Sequence, residues 1–417
     1  MSDPPAKSRV QPDAESPVSL PDELITEVLS FADAKTLMQM RCVSKFWNSI
    51  VADPKFVKLH FKRSARNPHL ALFLSKSHLD GDNNVVPFSV SRLVENPLIT
   101  LPNNPYYRLR DKECRFVIGS CNGWLCLLGY SCLSEYRQIW FRFWNPATGK
   151  MSQKLGYMWD HMLGLYTHFK FAFGYDNSSE TYKIVMSILD EAANRTNVRV
   201  LSVGDNVWRA IQSFPAVSLP FRYTNPGVND GVCLNGSLNW LALRRSFLSD
   251  GAYGWKSVDV KQFVIISLDL GTETYRQLIP PFGFDALSPV EPSICILMDC
   301  LCFSHDDRRT HFVIWKMEEF GVEESWTRLL RISYQDLQSM HHDIVDLQYS
   351  QWLPLHLSDH ANTLILANKQ ESQAILYNLR DNRAVRTRIT DEIQWFCAKV
   401  HIESLFSDIL ELQALQP

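Results

Sequence analysis

The chain has 417 residues, of which 46% are hydrophobic, 12% aromatic and 21% charged. That composition supplies one large core and a small satellite domain. Its 42 Lys and Arg stand against 45 Asp and Glu, a formal charge of −3, so no broad positive field gathers phosphate backbones, and nucleic acid is not an expected partner.

Ten cysteines are spread from Cys42 to Cys397 with no paired C-x-x-C spacing and no dense even framework. Reduced thiols, and with them a cytoplasmic and/or nuclear location, are the simplest expectation. Residues 1–18 are rich in Pro, Ser and Asp without an apolar core, and read as a disordered leader. The longest apolar run, Ile294 to Phe303, is short and interrupted by Asp299, so no membrane span is expected.

Residues 19–61 read as four short helices. Pro21 suits a first helical position, and Asp22 and Glu23 favour the positive helix start. Leu24, Val28 and Phe31 then recur at helical spacing, with Ile25 and Leu29 beside them. Asp33 is placed to cap a second helix, Ser44 a third, and Asp53-Pro54 opens a fourth. So small a module does not hide all of this apolar surface. Leu20, Leu24, Ile25, Leu29, Leu37 and Trp47 are expected to face a partner.

The order Leu20-Pro21-Asp22-Glu23-Leu24, then Leu37, Arg41-Cys42-Val43-Ser44-Lys45-x-Trp47 and Asp53-Pro54-x-Phe56 resembles an F-box of the plant type. The resemblance implies docking on a Skp-type adaptor, and through it on a cullin–RING ubiquitin ligase. It assigns adaptor binding to Leu20, Pro21, Leu24, Ile25, Val28, Leu29, Leu37, Val43 and Trp47. Phe31-Ala32-Asp33 stands where many family members have Arg-Leu-Pro, a departure that bears on adaptor affinity.

From about residue 69 the periodicity changes to strands, among them HLALFL, FVIGSCNGWLCLL, FKFAFGY, GVCLNGSLNWLAL and ICILMDCLCFS. A loose hairpin repeat, FRFWNPATGKMSQKL, VRVLSVGDNVWRAIQ, VIISLDLGTETYRQL, FVIWKMEEFGVEESWTRLL and AILYNLRDNRAVRTRI, returns at a spacing close to that of propeller blades. Asn122-Gly123 and Asn235-Gly236 mark tight hairpins, while Asn145–Gly149, Gly204–Asn206 and Leu270–Thr272 supply further turns. Five blades follow. Joining residues 69–101 to 393–403 completes a sixth and leaves no open sheet edge.

The fold expected is therefore mainly β with a small α module: short helices followed by a six-bladed β-propeller at 62–403. Residues 404–417 are expected to form a tail whose Leu405, Ile409 and Leu412 have the spacing of a terminal helix packed on the propeller. Gly119–Gly123, Trp144–Gly149, Phe173–Asp176, Leu234–Trp240 and Phe320–Trp326 resemble the plant F-box-associated, kelch-like domain, although the double glycine of true kelch blades is not evident.

No cofactor or metal site and no catalytic group is expected. His305-Asp306-Asp307 with His311 reads as a solvated hairpin tip, and the adjacent His341 and His342 point different ways in any regular element. Cys300 and Cys302 share a strand face and read as core. Trp124, Trp208, Trp240 and Trp326 recur at comparable blade positions and read as packing residues. The implied role is a non-catalytic specificity subunit that holds a target protein through rim loops at 154–168, 215–231 and 245–260. A glycan- or ligand-binding propeller is the alternative, and an enzyme using the propeller centre a second one.

Overall fold

The computed structural model describes residues 20–74, 83–99, 109–111, 113–133, 136–161, 169–190, 195–218, 231–244, 258–288, 290–335, 351–358, 362–368, 374–389 and 393–406. The leader, His341, His342, Ile409 and Leu412 lie outside them.

Four helices come first: α1 (Asp22–Leu29), α2 (Ala34–Met40), α3 (Lys45–Ala52) and α4 (Pro54–Ser64). Their starts follow the chemistry of the sequence. The Asp33 carboxylate accepts the Thr36 N–H at 2.7 Å, the Ser44 hydroxyl accepts from Trp47 at 3.2 Å, and the Asp53 carboxylate accepts from Lys55 at 2.7 Å. Helix α4 continues past residue 61, with Lys62 and Arg63 in its last turn, and Ala65–Pro68 lead straight into the first strand.

Six four-stranded antiparallel blades follow. Blade two is Cys114–Cys121, Trp124–Leu133, Tyr136–Trp144 and Leu155–His161, from the inside outward. Blade three runs from Phe169–Asp176 to Val207–Phe214, blade four from Val232–Leu234 to Tyr275–Leu278, blade five from Ser293–Leu297 to Trp326–Ser333, and blade six from Trp352–Ser358 to Arg383–Arg386. In blade four the short strand Val217–Ser218 also pairs with Ser237–Leu243.

Blade one is built from both ends of the domain. Its inner strand is Lys399–His401, paired antiparallel with His69–Leu74 so that His69 faces His401, and Asn83–Ser89 and Leu109–Asp111 complete it. This closure abolishes the open edge that a six-bladed chain otherwise leaves.

Six apolar clusters hold the ring, one at each junction between neighbouring blades. Alternation along one strand shows why. Leu70, Leu72 and Leu74 of HLALFL join the cluster shared with blade six, while Ala71 and Phe73 join the one shared with blade two.

Asn122-Gly123 and Asn235-Gly236 make the expected hairpins, all four residues at positive φ (48°, 83°, 49° and 72°). Two other hairpins do the same without that signal, at Met298-Asp299 and Arg308-Arg309. At 204–206 and 270–273 the left-handed residues are Asn206 and Glu273 rather than the glycines.

A buried ion pair sits between blades three and four. Lys183, 5% exposed at its side chain, reaches Asp176 at 2.8 Å, Glu273 at 2.9 Å and the Leu270 carbonyl at 2.5 Å, and Arg209 also pairs with Glu273. Burial alone raises the Asp176 pKa. Hydrogen bonds from Lys183, Ser179 and Ser178 outweigh it and hold the carboxylate far below its ordinary range.

All inner strands run in one direction, so the chain alternates between two rims. The helical module, the hairpins at 122–123 and 235–236 and the turn at 145–149 share one rim. The strand ends flanking 162–168, 219–230 and 245–257 lie on the other.

Candidate functional site

The helical module divides its apolar residues into two sets. Leu29, Ala34, Leu37, Val51, Phe56 and Val57 form its buried core. Leu20, Leu24, Val28 and Val43 point outward at 57%, 51%, 69% and 72% exposure, and Pro21 is exposed beside them. Leu24 and Val28 are one helical turn apart in α1, the spacing that aligns side chains on one helix face, and Leu20 and Pro21 lead into it. Ile25 and Trp47 are half-buried and packed against the core. Phe46 stands edge-on to Trp47, ring centroids 6.5 Å apart, and is 41% exposed.

Leu29 and Leu37 differ from the expectation. At 4% and 0% exposure they belong to the module's own core, where a partner does not reach them. In α1 the face carrying Leu24 and Val28 is turned outward, and the next position, Leu29, is turned in. The composition alone does not show which way the helix is rotated.

Phe31-Ala32-Asp33, the departure in the first loop, forms a closed turn. The Arg63 guanidinium lies 4.0 Å over the Phe31 ring, donates to the Glu27 carbonyl at 2.8 Å, and pairs with the Glu27 carboxylate and the Ser30 hydroxyl. The buried His60 Nε2 donates to the Ala32 carbonyl at 3.0 Å. Burial pushes the His60 pKa down, which keeps the ring neutral in that role.

The propeller centre is a channel of about 420 Å³ lined by all six inner strands, with Ile118, Phe173, Val232, Ile294, Leu355 and Val400 among its walls. Among the described residues that line it, Phe173 is the one phenyl ring, and no Trp or Tyr joins it. Among the described residues no group of three or more His, Cys, Asp or Glu side chains is arranged to hold a metal ion.

His305 and Asp306 correct the sequence reading. They lie within the strand Cys300–Asp307 at 5% and 2% exposure, not at a solvated tip. The His305 ring packs on Phe284 and Phe303, accepts the Trp315 indole N–H at 3.2 Å through Nε2, and donates from Nδ1 to the Asp306 carbonyl at 3.2 Å. Burial depresses its pKa. It is a satisfied core histidine with both nitrogens occupied.

Cys302 is fully buried between blades five and six, while Cys300 on the same strand is half-buried. The four tryptophans occupy two positions rather than one. Trp124 and Trp240 are buried on second strands. Trp208 and Trp326 begin outer strands and donate their indole N–H to carbonyls of the preceding blade, Gly156 and Ile279, each at 3.0 Å.

A short helical module with an outward apolar face, set on one rim of a closed six-bladed propeller, defines a class of two-part interaction protein. The sequence relationships are specific. The F-box domain matches residues 18–59 and the F-box associated beta propeller domain matches residues 81–407. An F-box/kelch-repeat protein of Arabidopsis thaliana is 25% identical over 330 residues, covering 76% of this chain and 80% of its own. The F-box protein CPR1 of the same plant is 22% identical over 407 residues, covering 93% and 88%. The chain belongs to the F-box proteins that carry an F-box associated beta propeller domain.

Proposed function

We propose that this protein is the substrate-recognition subunit of an SCF-type ubiquitin ligase. A Skp-type adaptor, and through it a cullin–RING ligase, is held by the F-box; a target protein is held by the propeller. The observation that carries the adaptor reading is the outward face of Leu20, Pro21, Leu24, Val28 and Val43. Apolar side chains of this density on so small a module need a partner surface. Leu29 and Leu37 support the face from behind, and Ile25 and Trp47 fill its edge.

The target reading is supported by the alternation of rims. Leu155–His161, within the expected loop 154–168, is the outer strand of blade two, and Val217–Ser218, within 215–231, is a short strand. The strand ends flanking 162–168, 219–230 and 245–257 lie on the rim away from the helical module, so adaptor and target are handled on opposite sides. The protein's contribution is proximity: tethering raises the local concentration of target lysines, and the covalent chemistry belongs to other subunits.

Co-expression with a Skp-type adaptor, followed by gel filtration, tests the reading. A one-to-one complex is expected from the wild-type chain and none from a variant with Leu20, Pro21 and Leu24 replaced by alanine. Wild-type protein that folds and elutes alone overturns it.

A further inference from the structure

We propose that residues 403–406, at the far end of the chain, complete the adaptor-binding module, so that adaptor capture depends on a closed propeller. The proposal rests on the adaptor reading above and adds Leu405, Phe406 and Asn145 as positioning residues for that site.

Leu405 and Phe406 are 6% and 4% exposed, and they belong to the same apolar cluster as Leu29, Leu37, Val51 and Phe56. The Phe406 ring lies 5.8 Å from that of Phe61 in α4. The Glu403 carboxylate accepts the N–H of Ala34, first residue of α2, at 3.1 Å through one oxygen, and its other oxygen is 3.5 Å from His69 Nε2 in blade one. The segment therefore touches both bodies. Ser404–Phe406 are not helical, so the helical spacing beginning at Leu405 is not realised there, and Leu405 packs into the module.

What holds the segment is the turn Asn145-Pro146-Ala147-Thr148-Gly149. The Asn145 side chain is fully buried. Its amide donates to the Ser404 and Phe406 carbonyls, both at 2.9 Å, and its oxygen accepts from the Ala147 and Thr148 N–H groups at 2.9 and 3.3 Å. Ala147 itself reaches the module's cluster. Gly123, at φ 83°, gives Ser404 the space beside it, since a Cβ there would overlap the serine's own. Two of the domain's turns thus form a cradle for four residues that sit more than 250 positions later in the chain.

The order of assembly follows. Residues 403–406 continue directly from Lys399–His401, the strand that zips onto His69–Ala71 and closes the ring. Unless that strand is paired, Leu405 and Phe406 are not delivered beneath Leu29 and Leu37, and the face carrying Leu24 and Val28 lacks its backing. A propeller that has failed to close does not present a finished adaptor site.

The test uses the full chain with Asn145→Ala, Phe406→Ala and Phe406→Leu, read by amide hydrogen exchange and by calorimetric titration with a Skp-type adaptor. Asn145→Ala and Phe406→Ala are expected to speed exchange in residues 22–40 at least tenfold while blades three to five keep wild-type protection. Adaptor affinity should fall at least tenfold, and Phe406→Leu should restore most of both. Wild-type protection of residues 22–40 in Phe406→Ala overturns the proposal. Should the wild-type chain not bind the adaptor, the exchange measurement still decides the coupling, and only the adaptor reading falls.

Discussion

The helical module and the propeller manage apolar surface in opposite ways. The propeller closes on itself: six junction clusters use both faces of each blade, and the last strand pairs with the first blade. The module does not close. It borrows Leu405 and Phe406 for its core and still leaves Leu20, Leu24, Val28 and Val43 outside. A ring of near-equivalent sheets reaches self-sufficiency by repetition, whereas four short helices are too few to surround a core. The unfinished part of the molecule is the part suited to meet a partner.

The largest expected effect tests the propeller's internal economy. Lys183→Met leaves Asp176 and Glu273 at the blade-three/four junction without their buried cation, and Arg209 reaches only Glu273. The loss of stability should be about 3–5 kcal/mol, read as a drop in the urea midpoint. An unchanged midpoint would mean that the junction is held by its apolar cluster alone.

The contrast between neighbours in the module comes next. Leu37→Ala removes a fully buried side chain and should cost about 2–5 kcal/mol of module stability. Leu24→Ala, at 51% exposure, should change stability by no more than about 0.5 kcal/mol while weakening adaptor binding. Equal stability losses would contradict the division into core and contact face.

Acid should open the closure blade. His401 is fully buried, its Nδ1 3.2 Å from the Ser120 hydroxyl, and burial first and the neighbouring His69 second push its pKa down to about 3. Between the ordinary histidine value of about 6.5 and that depressed value, the unfolded chain takes up a proton that the folded chain does not. Stability should therefore fall with decreasing pH by about 1.4 kcal/mol per unit. The lowered carboxylate of Asp176 acts in the same direction, its contribution being present above its ordinary range and lost as pH falls through its folded value. Denaturation between pH 7 and 4 measures the slope, and His401→Gln should reduce it, leaving the part that the buried His60 and His305 contribute, whose pKa values burial also lowers.

The smallest effect belongs to the staples between outer strands. Trp326→Phe loses the bond to the Ile279 carbonyl and should cost about 0.5–1.5 kcal/mol in the urea midpoint, with no effect on adaptor binding.

Much of this architecture was legible in the sequence because its signals are local. Asp33, Ser44 and Asp53 cap the helices they announce, and Asn122-Gly123 and Asn235-Gly236 turn the hairpins they mark. Closure of the sixth blade could be read as well, since an unpaired strand at each end of the domain leaves one solution. What escaped depends on contacts distant in sequence. The burial of His305 and Asp306 is set by Phe284, Phe303 and Trp315, and a charged run alone does not report them. Leu29 and Leu37 differ from Leu24 only in which way their helices face, and that is fixed partly by Leu405 and Phe406. The turn at 145–149 was visible as a turn, but its cradling role lies with residues near the other end of the chain.

The most direct test sets one exposed apolar residue of each region against the other. A Skp-type adaptor is titrated calorimetrically into the full chain carrying either Leu24→Asp in the module or Phe282→Asp on the connection between blades four and five, the latter residue 98% exposed. The account predicts loss of binding by at least a hundredfold for Leu24→Asp and wild-type affinity for Phe282→Asp. Equal affinities for the two variants would contradict it.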